Sequence, residues 1–211
     1  MSTDTEINRT QVLVVLAFAL AFSGACILAG IMFGRMLRAD LTPSGTATIG
    51  GPYTLVATSG QNVSDRAYQG KWVLIYFGYT YCPDACPTAL NNISVALENL
   101  GARARNLQPF FVTVDPQRDT REAMANYLKS FDSRIIGLTG TQDQIDRTVK
   151  EFRVFASGEK SDDGGNTYLV SHTSYIYLMD PQGSFVNVIQ GGATGDEIAA
   201  WLGKEMGLAG T

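Results

Sequence analysis

The stretch Cys82-Pro83-Asp84-Ala85-Cys86-Pro87 places two of the chain's three cysteines four positions apart. The pair follows Trp72 to Phe77, an apolar run of the buried-strand type, and the second cysteine opens a segment with helical spacing. Thiols at a strand-to-helix handover sit beside backbone N–H groups that lack intrahelical partners. The spacing therefore predicts a Cys86 thiolate favoured by the helix dipole. Two such thiolates can close a disulfide or hold a soft metal ion such as Cu(I). Thioredoxin-type redox motifs have two residues between their cysteines, and the three found here leave more room for a metal between the sulfurs. A purely structural disulfide across so short a loop would stabilise little by closure entropy.

His172 is the only histidine in the chain and stands in Val170-Ser171-His172-Thr173, read as the loop that leads into a terminal hairpin. In a thioredoxin-like order of elements that loop lies beside the start of the cysteine-bearing helix. Two thiolates and a neutral imidazole converging there form an S₂N site suited to Cu(I), and to Cu(II) with a fourth ligand. Asp84, between the cysteines, is either a solvated or capping carboxylate or a support for the sulfur ligands. Asp115, Arg118 and Asp119, in the run Asp115-Pro116-Gln117-Arg118-Asp119-Thr120, make either a strand exit and helix cap or a docking surface near the cysteine loop. Asp162 and Asp163, followed by Gly164-Gly165, read as a mobile surface loop.

These residues must be carried by a framework, and its elements are readable in order. Tyr53 to Ala57 and Gln61 to Val63 flank Ser59-Gly60 as a small hairpin. Trp72 to Phe77, Phe110 to Val114 and Ile135 to Leu138 are apolar strands. Between them run a helix with Leu90, Ile93, Leu97 and Leu100 on one stripe and another, capped by Thr120, with Met124, Tyr127, Leu128 and Phe131. Thr141 opens a third helix carrying Ile145, Val149 and Phe152. Ser174 to Met179 and Ser184 to Ile189 are joined by Asp180-Pro181-Gln182-Gly183, which suits a type I turn. Asp196 to Met206 is a last helix burying Ile198, Trp201 and Leu202. The order predicts an α/β, thioredoxin-like fold: a central mixed sheet with flanking helices, an extra βα insertion and an N-terminal hairpin.

Val12 to Phe33 contains no charge and no proline over 22 positions. At helical rise this run reaches about 33 Å, enough to cross a hydrocarbon core of about 30 Å. It exceeds a signal-peptide apolar region and has no good small-x-small cleavage site at its end. Ser23-Gly24-Ala25-Cys26 resembles a lipoprotein processing site only faintly, because the apolar run continues through Phe33, so Cys26 reads as an inert thiol within the membrane. The expected organisation is an N-terminal tail over 1–11, a single-pass anchor over 12–34, a Gly/Ser/Thr-rich linker over 35–51 and one domain over 52–207. Arg9 on one flank against Arg35 and Arg38 on the other does not set the orientation. Residues 39–211 carry 13 basic and 18 acidic side chains, a formal charge of −5, with no cationic block. Nucleic acid is therefore not an expected partner.

Together, Cys-Pro-Asp-x-Cys-Pro after an apolar strand, Val114-Asp-Pro-x-Arg-Asp-Thr120, and Tyr168-x-x-x-His172 resemble the Sco/SenC proteins, membrane-anchored copper chaperones for cytochrome c oxidase assembly. The similarity covers roughly residues 50–205 and the single anchor. It implies that Cys82, Cys86 and His172 bind copper. It further implies a bacterial inner-membrane protein whose domain faces the periplasm and serves the binuclear copper A centre of oxidase subunit II. Many relatives carry Asp before the histidine where this chain has Ser171, so no carboxylate partner is carried over to that position. The alternative activity is that of a thiol–disulfide reductase, with Cys82 and Cys86 as a redox-active dithiol that keeps the copper A cysteines reduced. Peroxidase chemistry fits poorly, since the proline-led approach to a peroxidatic cysteine is missing, and a copper-dependent redox sensor is a further alternative. In an oxidising compartment any of these roles implies a thiol reductant, and the chaperone role also implies a copper donor.

Overall fold

The computed structural model describes residues 49–160 and 168–208, with backbone only for 157–160 and 168–172, together with residues 13, 18, 20, 22–30 and 32 near the N-terminus. Residues 1–47 and 48–211 form separate units. In the first, residues 22–30 are helical with exposed side chains. Among the described residues no helix is long and apolar enough to cross a membrane. The remainder of the expected 12–34 anchor lies outside the described residues.

The second unit is built on a seven-stranded mixed sheet ordered β2-β1-β5-β4-β3-β8-β9. Its strands are β1 (Thr54–Ala57), β2 (Asn62–Ser64), β3 (Trp72–Gly78), β4 (Leu107–Thr113), β5 (Ile136–Thr139), β8 (Tyr175–Met179) and β9 (Phe185–Gln190). β3, β4 and β5 run parallel, and every other neighbour in the sheet is antiparallel. Helices α1 (Ala85–Leu100), α2 (Arg121–Leu128), α3 (Gln142–Glu151) and α4 (Gly195–Glu205) complete the unit. α1 packs on α4, α2 on β5 and α3 on β1. This is the mixed sheet with flanking helices expected from the order of elements.

The local reasons are those written in the chain. Leu90, Ile93, Leu97 and Leu100 are all buried, so the apolar stripe of α1 faces the core. The Thr120 side chain accepts from the Ala123 N–H, and Thr141 and Thr194 form reciprocal capping boxes with Gln144 and Glu197. In the β8–β9 turn, Gly183 donates to the Asp180 carbonyl at 2.9 Å. The Asp180 carboxylate takes the backbone N–H groups of Gln182 and Ser184.

One element was not expected. Ala156–Lys160 (β6) and Tyr168–His172 (β7) pair antiparallel as a separate two-stranded sheet, with His172 opposite Ala156. His172 therefore ends a strand and does not sit in a loop. Thr173 continues the pairing by donating to the Phe155 carbonyl at 3.0 Å. The segment containing Asp162, Asp163, Gly164 and Gly165 lies outside the described residues.

Alternation along β3 divides the core between two faces. Phe77 meets Phe152 and Tyr177, with ring centroids 5.3 and 5.8 Å away. Tyr76 stacks on Phe111 at 6.2 Å, and Phe111 meets Tyr127 at 5.9 Å. The cysteine loop belongs to the Tyr76 and Gly78 side.

Candidate functional site

β3 ends at Gly78, and four residues later the chain reaches Cys82, just before α1 begins. Pro87 falls in the first turn of α1, where its missing N–H would have had no partner. Cys86 is also in that turn and is fully buried, whereas Cys82 is half-buried. The Cys86 backbone N–H donates to Cys82 Sγ at 3.4 Å, so a donor at the helix start points at the outer sulfur.

The inner sulfur occupies a closed pocket. A Cβ added at Gly78 would lie 2.7 Å from Cys86 Sγ and 2.8 Å from a ring carbon of Phe111. Glycine is thus required by the close approach of the sulfur. The Tyr76 hydroxyl, on a residue with no exposed surface, lies 3.9 Å from Cys86 Sγ and 3.2 Å from Ser174 Oγ. A hydrogen bond to Cys82 and burial away from water hold the Cys86 thiol far above the ordinary thiol range. The Tyr79 backbone and the Tyr76 hydroxyl pull the other way without offsetting this. The expected dipole-stabilised Cys86 thiolate is therefore corrected: the hydrogen bond to Cys82 and burial together outweigh the helix terminus at this sulfur.

His172 ends β7, two residues before Ser174. Two residues of extended chain span about 7 Å, so the His172 backbone is tethered close to the Tyr76–Cys86 contact. The position of its imidazole lies outside the described atoms. Asp84 is exposed and is the backbone N-cap of α1, but its side chain makes no capping hydrogen bond; it accepts from the Thr88 hydroxyl at 3.5 Å. Among the described residues no cluster of three or more His, Cys, Asp or Glu side chains could hold a metal ion.

The Asp115–Thr120 segment faces the cysteine loop. Asp115 is buried and pairs with the Arg118 guanidinium through Nε. That guanidinium lies 4.8 Å from the Tyr81 ring centroid and 5.7 Å from that of Tyr79. Asp119 is fully buried and accepts from the backbone and hydroxyl of Thr80 and from the hydroxyl of Thr113. Burial raises its carboxyl, and the Thr80 and Thr113 hydrogen bonds oppose that rise. Tyr76, Ser174 and Gly78 were not singled out in the sequence, and Thr80 was noted only for its place two residues before Cys82. Their signal is positional, since each lies within a strand, or within two residues of a strand end, next to a candidate ligand.

A mixed sheet with a thiol pair where a parallel strand hands over to a helix defines a thioredoxin-like class of protein. The SCO1/SenC family model matches residues 42–207, and the chain belongs to that family. It is 36% identical over 200 residues to the mitochondrial SCO1 homologue of Homo sapiens, an alignment covering 90% of this chain and 65% of the human protein. The chain thus spans just under two thirds of that relative's length. The structure of Bradyrhizobium japonicum ScoI with copper bound is similar at a TM-score of 0.69 and 43% identity, covering 74% of this chain and 99% of that one. BsSco, a member of the Sco family of cytochrome c oxidase assembly proteins, shares the fold at a TM-score of 0.59 and 23% identity, over 77% of this chain and 95% of its own.

Proposed function

We propose that this chain is a membrane-anchored copper chaperone that binds copper through Cys82, Cys86 and His172 and helps to metallate the copper A centre of oxidase subunit II. Residues 12–34 anchor it in the bacterial inner membrane, 35–51 form a tether, and 52–207 form the copper-binding domain on the periplasmic side. The observation that carries this reading is the hydrogen-bonded pair of Cys86 Sγ with the Tyr76 hydroxyl and of that hydroxyl with Ser174, two residues beyond His172. The donor set fits the metal: two soft sulfurs and an imidazole suit Cu(I), and the imidazole helps to hold Cu(II). The copper-bound structure of ScoI, at 43% identity, supports the same cargo here. Copper is delivered by ligand exchange, and the half-buried Cys82 is the sulfur a partner reaches first.

Titrating the reduced full-length chain in detergent with copper is expected to give one ion per chain. His172→Ala is expected to lose the Cu(II) spectrum while keeping a dithiol that oxidises. An unchanged Cu(II) spectrum in that variant would remove His172 from the site.

A second reading is favoured by the asymmetry of the two thiols, one accessible and one buried. In a thiol–disulfide reductase, Cys82 attacks a partner disulfide and forms a mixed disulfide, releasing one partner thiol. Cys86 then displaces the other partner thiol and leaves a Cys82–Cys86 disulfide for an external dithiol to reduce. That chemistry needs both cysteines and not His172. Oxidase assembly that survives His172→Ala and fails in Cys82→Ala identifies the reductase.

A further inference from the structure

The turn carrying Cys82 is gripped from outside the cysteine motif. Within the turn, the Cys82 N–H donates to the Tyr79 carbonyl at 3.3 Å. Across it, the Asp119 carboxylate takes the Thr80 backbone N–H at 3.0 Å and the Thr80 hydroxyl. Asp119 is itself fixed to the sheet at two points. Its carboxylate accepts the Thr113 hydroxyl at 2.7 Å at the end of β4, and its backbone carbonyl accepts the Thr139 hydroxyl at 3.0 Å at the end of β5. A carboxylate with no exposed surface is costly to bury, and several charge-assisted hydrogen bonds are needed to offset the cost. An apolar pair would join β4 to β5 without that penalty. What the carboxylate adds is a rigid link from two parallel strands to a backbone amide two residues before Cys82.

We infer that Asp119 is a positioning residue for the outer sulfur: acting through Thr80, it holds the Tyr79–Cys82 turn so that Cys82 Sγ stays against the Cys86 N–H. Arg118, seated over the Tyr79 and Tyr81 rings, braces the same turn from its neighbouring position. Loss of the clamp leaves Cys86 in its pocket and frees Cys82 to move. The inference rests on the copper-site reading only for its affinity readout.

The test compares two substitutions that each remove one hydroxyl from the same carboxylate. Thr80→Val removes the hydroxyl contact to the cysteine turn and leaves the Thr80 N–H on the carboxylate. Thr113→Val cuts the link to β4 and also orphans the Asp115 N–H, which donates to Thr113 Oγ1 at 2.9 Å. In the full chain in detergent, Cu(I) affinity is read by competition with a chromophoric chelator, and metal-free Cys82 alkylation by iodoacetamide is followed by peptide mass spectrometry. Supporting partners of metal ligands typically contribute 10–100-fold in affinity. Thr80→Val is expected to weaken Cu(I) about 10-fold and Asp119→Ala nearer 100-fold, both with faster Cys82 alkylation. Asp119→Asn, which keeps an acceptor for the Thr80 N–H, is expected to restore part of the loss. Thr113→Val is expected to lower the melting temperature more than Thr80→Val while leaving affinity and alkylation at wild-type values. Equal effects of the two threonine variants, or wild-type alkylation in Asp119→Ala, overturn the inference. If the wild-type chain takes up no copper, the proposed function falls, and the alkylation arm still decides the clamp.

Discussion

Gly78→Ala probes the packing that fixes the inner sulfur. The new methyl group would lie 2.7 Å from Cys86 Sγ and 2.8 Å from the Phe111 ring, distances at which one of the three groups has to move. None has room to do so. Phe111 is fully buried, stacked on Tyr76 on one side and against Tyr127 on the other, and Cys86 has no exposed surface. Overpacking of this kind costs about 1–3 kcal/mol. At about 2–4 °C per kcal/mol for a unit of this size, the melting temperature should fall by about 2–12 °C. Circular dichroism melts of the reduced, metal-free chain measure this, with Gly203→Ala as the contrast. Position 203 lies within α4, and a methyl group there would meet no heavy atom within 4 Å, so alanine should add about 0.5–1 kcal/mol. The sulfur displaced by Gly78→Ala should also bind copper more weakly. A Gly78→Ala chain that melts no lower than wild type and keeps its copper affinity would refute the closed pocket around Cys86.

Tyr76→Phe removes the hydroxyl shared between Cys86 and Ser174; it should cost about 0.5–1.5 kcal/mol in urea denaturation and leave the sheet intact by circular dichroism. The raised Cys86 thiol sets two pH dependences of known sign. Binding a metal through that thiol must release its proton, so Cys86 contributes about a tenfold rise in copper affinity per pH unit, checked by titrations between pH 6 and about 8. In the metal-free protein the native state holds this proton more tightly than the unfolded chain does. The resulting stability is complete below the ordinary thiol value of about 8.5 and is lost as pH rises above it. Denaturation of wild type against Cys86→Ala across that range isolates the effect from the buried tyrosines, and identical pH profiles would contradict it.

Most of the framework was legible because its elements carry strong local signals. Continuous apolar runs marked β3, β4 and β5, and Thr120 and Thr141 marked helix starts that their side chains do cap. β6 was not legible, since Ala-Ser-Gly-Glu-Lys has neither alternation nor β-branched residues, and its pairing with β7 is set by register with Leu169 and Val170. The thiol pair was plain from Cys82 and Cys86, but their chemistry was not. A helix start acts on any cysteine in its first turn, whereas its effect is reversed by the hydrogen bond to Cys82 and by burial against Gly78, Tyr76 and Phe111, which only tertiary packing brings together. Asp119 likewise reads as part of a strand exit, because nothing local shows that its carboxylate turns toward Thr80 and away from solvent.

The central claim is that one copper ion is held by the two sulfurs and the imidazole together. X-ray absorption at the copper edge, on the full chain loaded with Cu(I) and on the same preparation of His172→Ala, addresses it most directly. Two sulfur neighbours and one nitrogen are predicted in the wild type, with loss of the nitrogen alone in the variant. A wild-type spectrum with fewer than two sulfurs, or a nitrogen that persists in His172→Ala, would contradict it.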